Sequence, residues 1–279
     1  MKHLFVSCVF LLLLSSFYPV QAQKKSKKDD DQPFYLFRKD WSSAPDLASA
    51  NYFMQVVKDN DSLYVCRYYN KAGPMVKQES FRDEQISIPN GLFCWYNNDG
   101  YLDSAGWVKN GHKDGSWNYY RNRKRYLGLK YSEGKMIEKE DFDADVYMDS
   151  SGAQFSLKEK LMKDSIQRDS LMLVRDSTKP VQMEAKFKGN WNDYISRNLK
   201  TPERLLNVMG KGKYVVIVNF LIDKEGKVRD VSLEKSCEWS ADAEVFRVFK
   251  NAPAWIPAQQ NGKAVIYRQK QALTFTVSE

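Results

Sequence analysis

Side chains able to do covalent or metal chemistry are scarce. The 279 residues contain two histidines, His3 and His112, so a site built from several imidazoles is excluded and Ser-His-Asp chemistry would rest on one ring. Of four cysteines, Cys8 lies inside an N-terminal apolar run, leaving Cys66, Cys94 and Cys237. Three thiols cannot all pair within one chain, so they read as small buried apolar groups rather than a disulfide framework. Aligning Tyr69 with Tyr96 puts Arg67, not Cys66, at the position equivalent to Cys94, and the two sulfurs are then expected on opposite faces of a sheet. Asp223 and Glu225 flank Gly226 in a turn and read as solvated. Gly210-Lys211-Gly212-Lys213 has neither the downstream glycine nor the helix that phosphate cradling needs, and reads as a basic turn entering a strand. No catalytic residue, cofactor or metal is expected. What remains is recognition by backbone and by aromatic faces.

The elements that must position such surfaces can be followed along the chain. Lys2, the apolar run from Leu4 to Phe17, and Val20-Gln21-Ala22 have the form of a signal peptide over 1–22, too short to span about 30 Å of hydrocarbon as a retained anchor. A charged tether over 23–33 follows, with Lys24, Lys25, Lys27 and Lys28 meeting Asp29-Asp30-Asp31. The chain is 43% apolar, 28% charged and 14% aromatic, which excludes a multi-span membrane protein and a wholly disordered chain. A net charge of +8, spread over 43 basic and 35 acidic residues, does not imply nucleic acid.

From residue 34 to 146 the sequence repeats. Gly91-Leu-Phe-Cys-Trp-Tyr96 recurs 24 residues later as Gly115-Ser-Trp-Asn-Tyr-Tyr120, with Asn98-Asp99-Gly100 and Asn110-Gly111 supplying turn residues that favour positive φ. Stacked antiparallel hairpins are predicted, their aromatics mainly buried. Gly115, Trp117, Tyr120, Tyr131, Gly134 and Lys135 resemble MORN-type repeats over about residues 64 to 137, with Phe93 replacing Trp and His112 replacing Lys in the preceding unit. Between 147 and 182 the aromatics thin out and Asp-Ser pairs enter, predicting a polar linker or helix.

Over 183–279 the order is helix, strand, strand, helix, strand. Asn192 to Lys200 has helical spacing and stops at Thr201-Pro202; Glu203 to Met209 is a further short turn of helix. Tyr214 to Ile222 and Val228 to Glu234 form a hairpin about Asp223-Lys-Glu-Gly226, Ser240 to Asn251 is a helix, and Val265 to Val277 is the last strand. Phe187-Lys-Gly189, Asn198-Leu199 with Pro202, Gly212, the Asp223 turn, Trp255-Ile-Pro257-Ala258 and Gln260-Asn261-Gly262-Lys263 together resemble the TonB C-terminal domain over about 184 to 279. Thr201 stands where that family usually has an aromatic residue, and no long proline-rich spacer is present.

The expected fold class is therefore α+β: an antiparallel β-hairpin repeat array, a polar linker, and a C-terminal α/β sandwich of two helices on a three-stranded antiparallel sheet. The resemblance implies strand addition of an extended peptide at the last strand, with Ile266, Tyr267, Arg268, Gln269, Lys270, Gln271, Leu273 and Phe275 as the binding residues. Lys263, Arg268 and Lys270 would favour an acidic peptide or guard the edge against aggregation. The implied protein is a non-catalytic module exported to the periplasm of a Gram-negative bacterium. Its partner is a peptide segment of an envelope or outer-membrane protein, with no nucleic acid and no membrane span after signal removal. Two other readings are a membrane-anchored energy transducer of TonB type and an envelope protein whose repeat aromatics bind glycan.

Overall fold

Two-residue turns with left-handed backbone set the architecture of the N-terminal half. Asn110-Gly111, Asn122-Arg123 and Glu133-Gly134 all have positive φ at both positions, the geometry whose twist matches that of paired strands. The computed structural model describes residues 34–60, 63–164 and 182–278. The signal and tether expected over 1–33, and residues 165–181 of the segment read as a linker, lie outside the described residues.

Eleven antiparallel strands form one sheet in strict chain order. They are β1 (Phe34–Phe37), β2 (Tyr52–Asn60), β3 (Leu63–Asn70), β4 (Met75–Phe81), β5 (Gly91–Tyr96), β6 (Leu102–Lys109), β7 (His112–Arg121), β8 (Lys124–Ser132), β9 (Lys135–Asp141), β10 (Val146–Met148) and β11 (Gln154–Phe155). Residues 157–164 are helical. Register shifts recur at Tyr68/Tyr69, Trp95/Tyr96, Gly106/Trp107, Tyr119/Tyr120 and Lys130/Tyr131. Each shift falls at an aromatic residue, and bulges of this kind bend a sheet and deepen its twist.

The C-terminal part contains β12 (Gln182–Met183), α1 (Trp191–Asn198), α2 (Glu203–Val208), β13 (Gly212–Ile222), β14 (Val228–Lys235), α3 (Trp239–Lys250), β15 (Ala258–Gln260), β16 (Lys263–Val265) and β17 (Tyr267–Val277). Asn190 caps α1 by accepting from the amides of Asn192 and Asp193, and Glu238 caps α3 by accepting from the Ser240 amide. Two small sheets result, ordered β12-β15-β16 and β14-β13-β17.

This corrects the expected fold class. Over the described residues the protein is mostly β, with 51% strand and 15% helix, and is not an α+β chain ending in a sandwich of two helices on one three-stranded sheet. The hairpin principle extends further than composition suggested. Asn261-Gly262, read only as a turn before the last strand, closes its own hairpin of β15 and β16, whose other side pairs with β12. Helices stay short because Pro202, Pro253 and Pro257 punctuate the stretches between strands. Among the described residues no helix is long and apolar enough to cross a membrane.

One hydrophobic core joins the two halves. Phe53, Tyr69, Met75, Cys94 and Tyr96 of the long sheet cluster with Leu205, Val216, Val218, Phe220, Val245, Phe249 and Trp255. The opposite face of the sheet has a smaller cluster of Met54, Cys66, Tyr68 and Phe81. Hydrogen bonds sew the join: Tyr96 Oη donates to the Leu233 carbonyl (3.0 Å), the Met75 amide to Ser236 Oγ (2.7 Å), and Trp239 Nε1 to Gln55 Oε1 (3.0 Å). Gly100 makes the closest approach. A Cβ there would lie 2.2 Å from the Ser236 carbonyl oxygen, and its φ is +78°, so glycine is required on two counts.

Candidate functional site: the outer edge of β17

Strand β17 pairs with β13 over eleven consecutive positions, from Ile222↔Tyr267 to Gly212↔Val277, without a register shift. Among the described residues no strand pairs with its other side. Which backbone groups face that free side follows from the neighbouring turn. The Asp223 amide donates to the Lys227 carbonyl (2.9 Å), so Asp223 turns its backbone toward β14 and Ile222 turns toward β17. Backbone direction alternates along an antiparallel pair. Tyr267, Gln269, Gln271, Leu273 and Phe275 therefore bond to β13, while Arg268, Lys270, Ala272, Thr274 and Thr276 point N–H and C=O outward.

The side chains divide by the same alternation. Leu273, Phe275 and Val277 are buried against the core, whereas Arg268, Lys270, Ala272, Thr274 and Thr276 are exposed on the sheet's outer face. Ile266 is not part of the strand; it sits between β16 and β17 and is 60% exposed. Partial desolvation and the Glu184 carboxylate that accepts from it hold the Tyr267 phenol above its ordinary value. Lys270 lies 3.2 Å from Glu234 across β13, so its charge is already matched within the sheet. Lys263 is in β16, on the other small sheet.

The other chemistry-bearing residues are spread apart. Asp223 accepts from the Lys227 and Glu225 amides and from Arg229 Nε. Partial burial raises its carboxyl, but those donors outweigh it and hold the group below the ordinary carboxylate range. Gly210 to Lys213 leads into β13, with Tyr214 Oη donating to the Gly210 carbonyl (2.6 Å). Cys66, Cys94 and Cys237 are buried and free. Desolvation pushes the thiols of Cys66 and Cys94 up to about 12, far from the thiolate that nucleophilic chemistry requires. Among the described residues no group of three or more His, Cys, Asp or Glu is gathered as metal ligands are.

Two features escaped the sequence reading. Asp242 is fully buried on α3, where Ser236 Oγ donates to its Oδ2 and the Cys237 amide to its Oδ1 (3.3 Å). Burial pushes this carboxyl up to about 8, assisted by Glu238 and opposed by the Ser236 and Cys237 donors and by Arg67. A signal existed: Asp242 precedes Val245, Phe246 and Phe249 at helical spacing, placing an acid on the apolar face. The second feature is the seating of Lys77 and Lys113 on the rings of the repeat aromatics, on the sheet face turned away from the shared core. Comparison with protein-family models, with curated proteins and with solved structures finds no match to this chain.

Proposed function

We propose that this protein is a non-catalytic binding module of the bacterial cell envelope, exported to the periplasm, whose strand β17 takes an extended peptide segment of an envelope or outer-membrane protein as an added antiparallel strand. The observation that carries the reading is the row of outward backbone groups at Arg268, Lys270, Ala272, Thr274 and Thr276 on a strand of eleven residues whose outer side pairs with no strand among the described residues. Long edges of this kind template strand addition, and backbone bonds supply the affinity. The resemblance of the segment to the TonB C-terminal domain implies the same use of the last strand. Charge preference in the partner is weak, because Lys270 is matched by Glu234.

Neighbouring prolines test it. Ala272→Pro removes an outward N–H, leaves the ladder to β13 intact and is tolerated at an edge. Gln271→Pro removes an inward N–H and destabilises the fold by about 1–3 kcal/mol, the cost of a lost buried partner. A photo-crosslinking residue at Thr274 in the full chain, expressed in cells, is expected to capture envelope-protein peptides. Ala272→Pro should abolish capture while circular dichroism and melting temperature stay near the parent's. Capture that survives this variant removes β17 as the docking edge.

A further inference from the structure

The aromatic ribbon on the open face of the long sheet contains two lysines in similar seats, and the difference between them is informative. Lys77 Nζ stands 4.2 Å from the Tyr68 ring centroid and 5.1 Å from that of Trp41, and it is neutralised by Glu79 at 2.8 Å. Lys113 Nζ stands 4.1 Å from the Trp117 ring and 5.2 Å from Tyr131, with the Tyr119 hydroxyl at 3.4 Å, and among the described residues no carboxylate pairs with it. Asp114, the next residue along β7, accepts from the Glu133 amide. Half-buried Lys113 has its pKa lowered by desolvation alone. Ring quadrupoles stabilise such an ammonium, and a half-buried charge without a counter-ion is still left poorly compensated.

The surroundings form a fixed platform. Gly106 lets the Trp117 indole lie flat on β6, since a Cβ there would meet the ring at 2.1 Å, and Trp117 Nε1 donates to the Trp107 carbonyl (2.9 Å). Trp95, whose ring centroid is 5.9 Å from that of Trp117, is half-buried on the same face, one register row from Lys113's seat, beside Tyr119 and Ser104. A half-buried indole such as Trp95, with hydroxyls at its margin, suits a ligand that is apolar on one side and polar at its rim. A peptide laid on this face would gain no backbone bonds, because the ladders of β6, β7 and β8 are already paired on both sides.

We infer that this face binds an acidic sugar, its carboxylate on Lys113 and the Tyr119 hydroxyl and its pyranose ring against Trp95. The site is separate from the β17 edge. Titration calorimetry of the full chain at low salt, with trigalacturonic acid and with neutral galactotriose, tests it. Trigalacturonic acid is expected to bind at least tenfold more tightly, and Lys113→Gln should erase that preference, the loss of one charge-assisted contact being about tenfold. Lys77→Gln should leave the preference unchanged, because that lysine already has its acid. Trp95→Phe, which keeps an aromatic ring and the fold, should weaken both sugars. Equal affinities for the two sugars, acid preference that survives Lys113→Gln, or tighter binding of an acidic hexapeptide than of trigalacturonic acid at Lys113 would each overturn the assignment. Ala272→Pro should leave sugar binding untouched, so failure here and failure at the β17 edge are distinguishable.

Discussion

The long sheet and the C-terminal region use the same antiparallel pairing to opposite ends. From β1 to β11 every strand pairs with its neighbour in sequence, so each contact is local and free edges occur only at the two termini of the array. In the C-terminal region β13 lies between β14, its neighbour, and β17, which arrives some 50 residues later after a helix and a separate hairpin. Local pairing costs little loop entropy and can extend one hairpin at a time; the distant β13–β17 pairing needs a packed core to hold it. That core is shared with the sheet. The array therefore presents a face, and the C-terminal region presents an edge.

Tryptophan substitutions probe this contrast most strongly. Trp255 is 6% exposed and meets Phe187, Trp191 and Phe220 at centroid distances of 5.0–5.8 Å. Trp255→Ala is expected to cost about 3–5 kcal/mol in urea denaturation, the range for a large aromatic removed from a packed interior. Half-buried Trp95, on the open face of the array, should cost roughly 1–2 kcal/mol because less apolar area leaves water there. Equal losses would show that the face is covered in solution and would break the comparison.

Where the regions meet, pH should reveal the join. Asp242 is neutral in the folded protein at pH 7, with its carboxyl pushed up to about 8, and ionised in the unfolded chain, where the ordinary value is 3.8. The folded state then binds the extra proton between these limits, so Asp242's contribution is full below about pH 4 and is lost as pH rises toward 8. Denaturation between pH 5 and 7.5 is expected to show a falling component of at most about 1.4 kcal/mol per pH unit. The facing groups are Glu238, Arg67, Tyr69, Tyr96 and Cys237. Asp242→Asn keeps an acceptor for Ser236 and should flatten the slope; an unchanged slope in that variant assigns it to another group.

Much of the local structure was legible because its causes are local. Asn110-Gly111 and Asp223 to Gly226 announce their turns by residues that tolerate left-handed backbone, and Thr201-Pro202 announces the gap between α1 and α2. Other features had no such marker. Strands of two or three residues, such as β11, β12 and β15, are too short for a period of two to register, so the second small sheet leaves no pattern in the sequence. The join between halves depends on Met75 meeting Ser236, 161 residues later, and through it Asp242, and no periodicity links them. Outward and inward backbone groups of β17 could be told apart only once the Asp223–Lys227 bond fixed the phase; alternation in the sequence shows side-chain faces alone. Lys113 differs from Lys77 by an absent acid, which a sequence does not display.

The smallest expected effect is a null one, and it sharpens the comparison of faces. Register places Arg67 opposite Gln78 and Gln78 opposite Cys94, while Cys66 lies opposite Glu79. Cys94 therefore turns toward the shared core with Cys237, and Cys66 toward the cluster on the open side. Since a disulfide needs Cβ atoms within about 4.5 Å, thiols on opposite faces of one sheet cannot be bridged without refolding it. Reductant should leave the melting temperature unchanged, and all three of these thiols should titrate in denatured, unreduced protein. Native-state alkylation goes further: Cys94 and Cys237 should label together, at a rate set by opening of the common core, and Cys66 at its own rate. Labelling of Cys94 in step with Cys66 instead would mean that the sheet opens as one body, independently of the region packed against it.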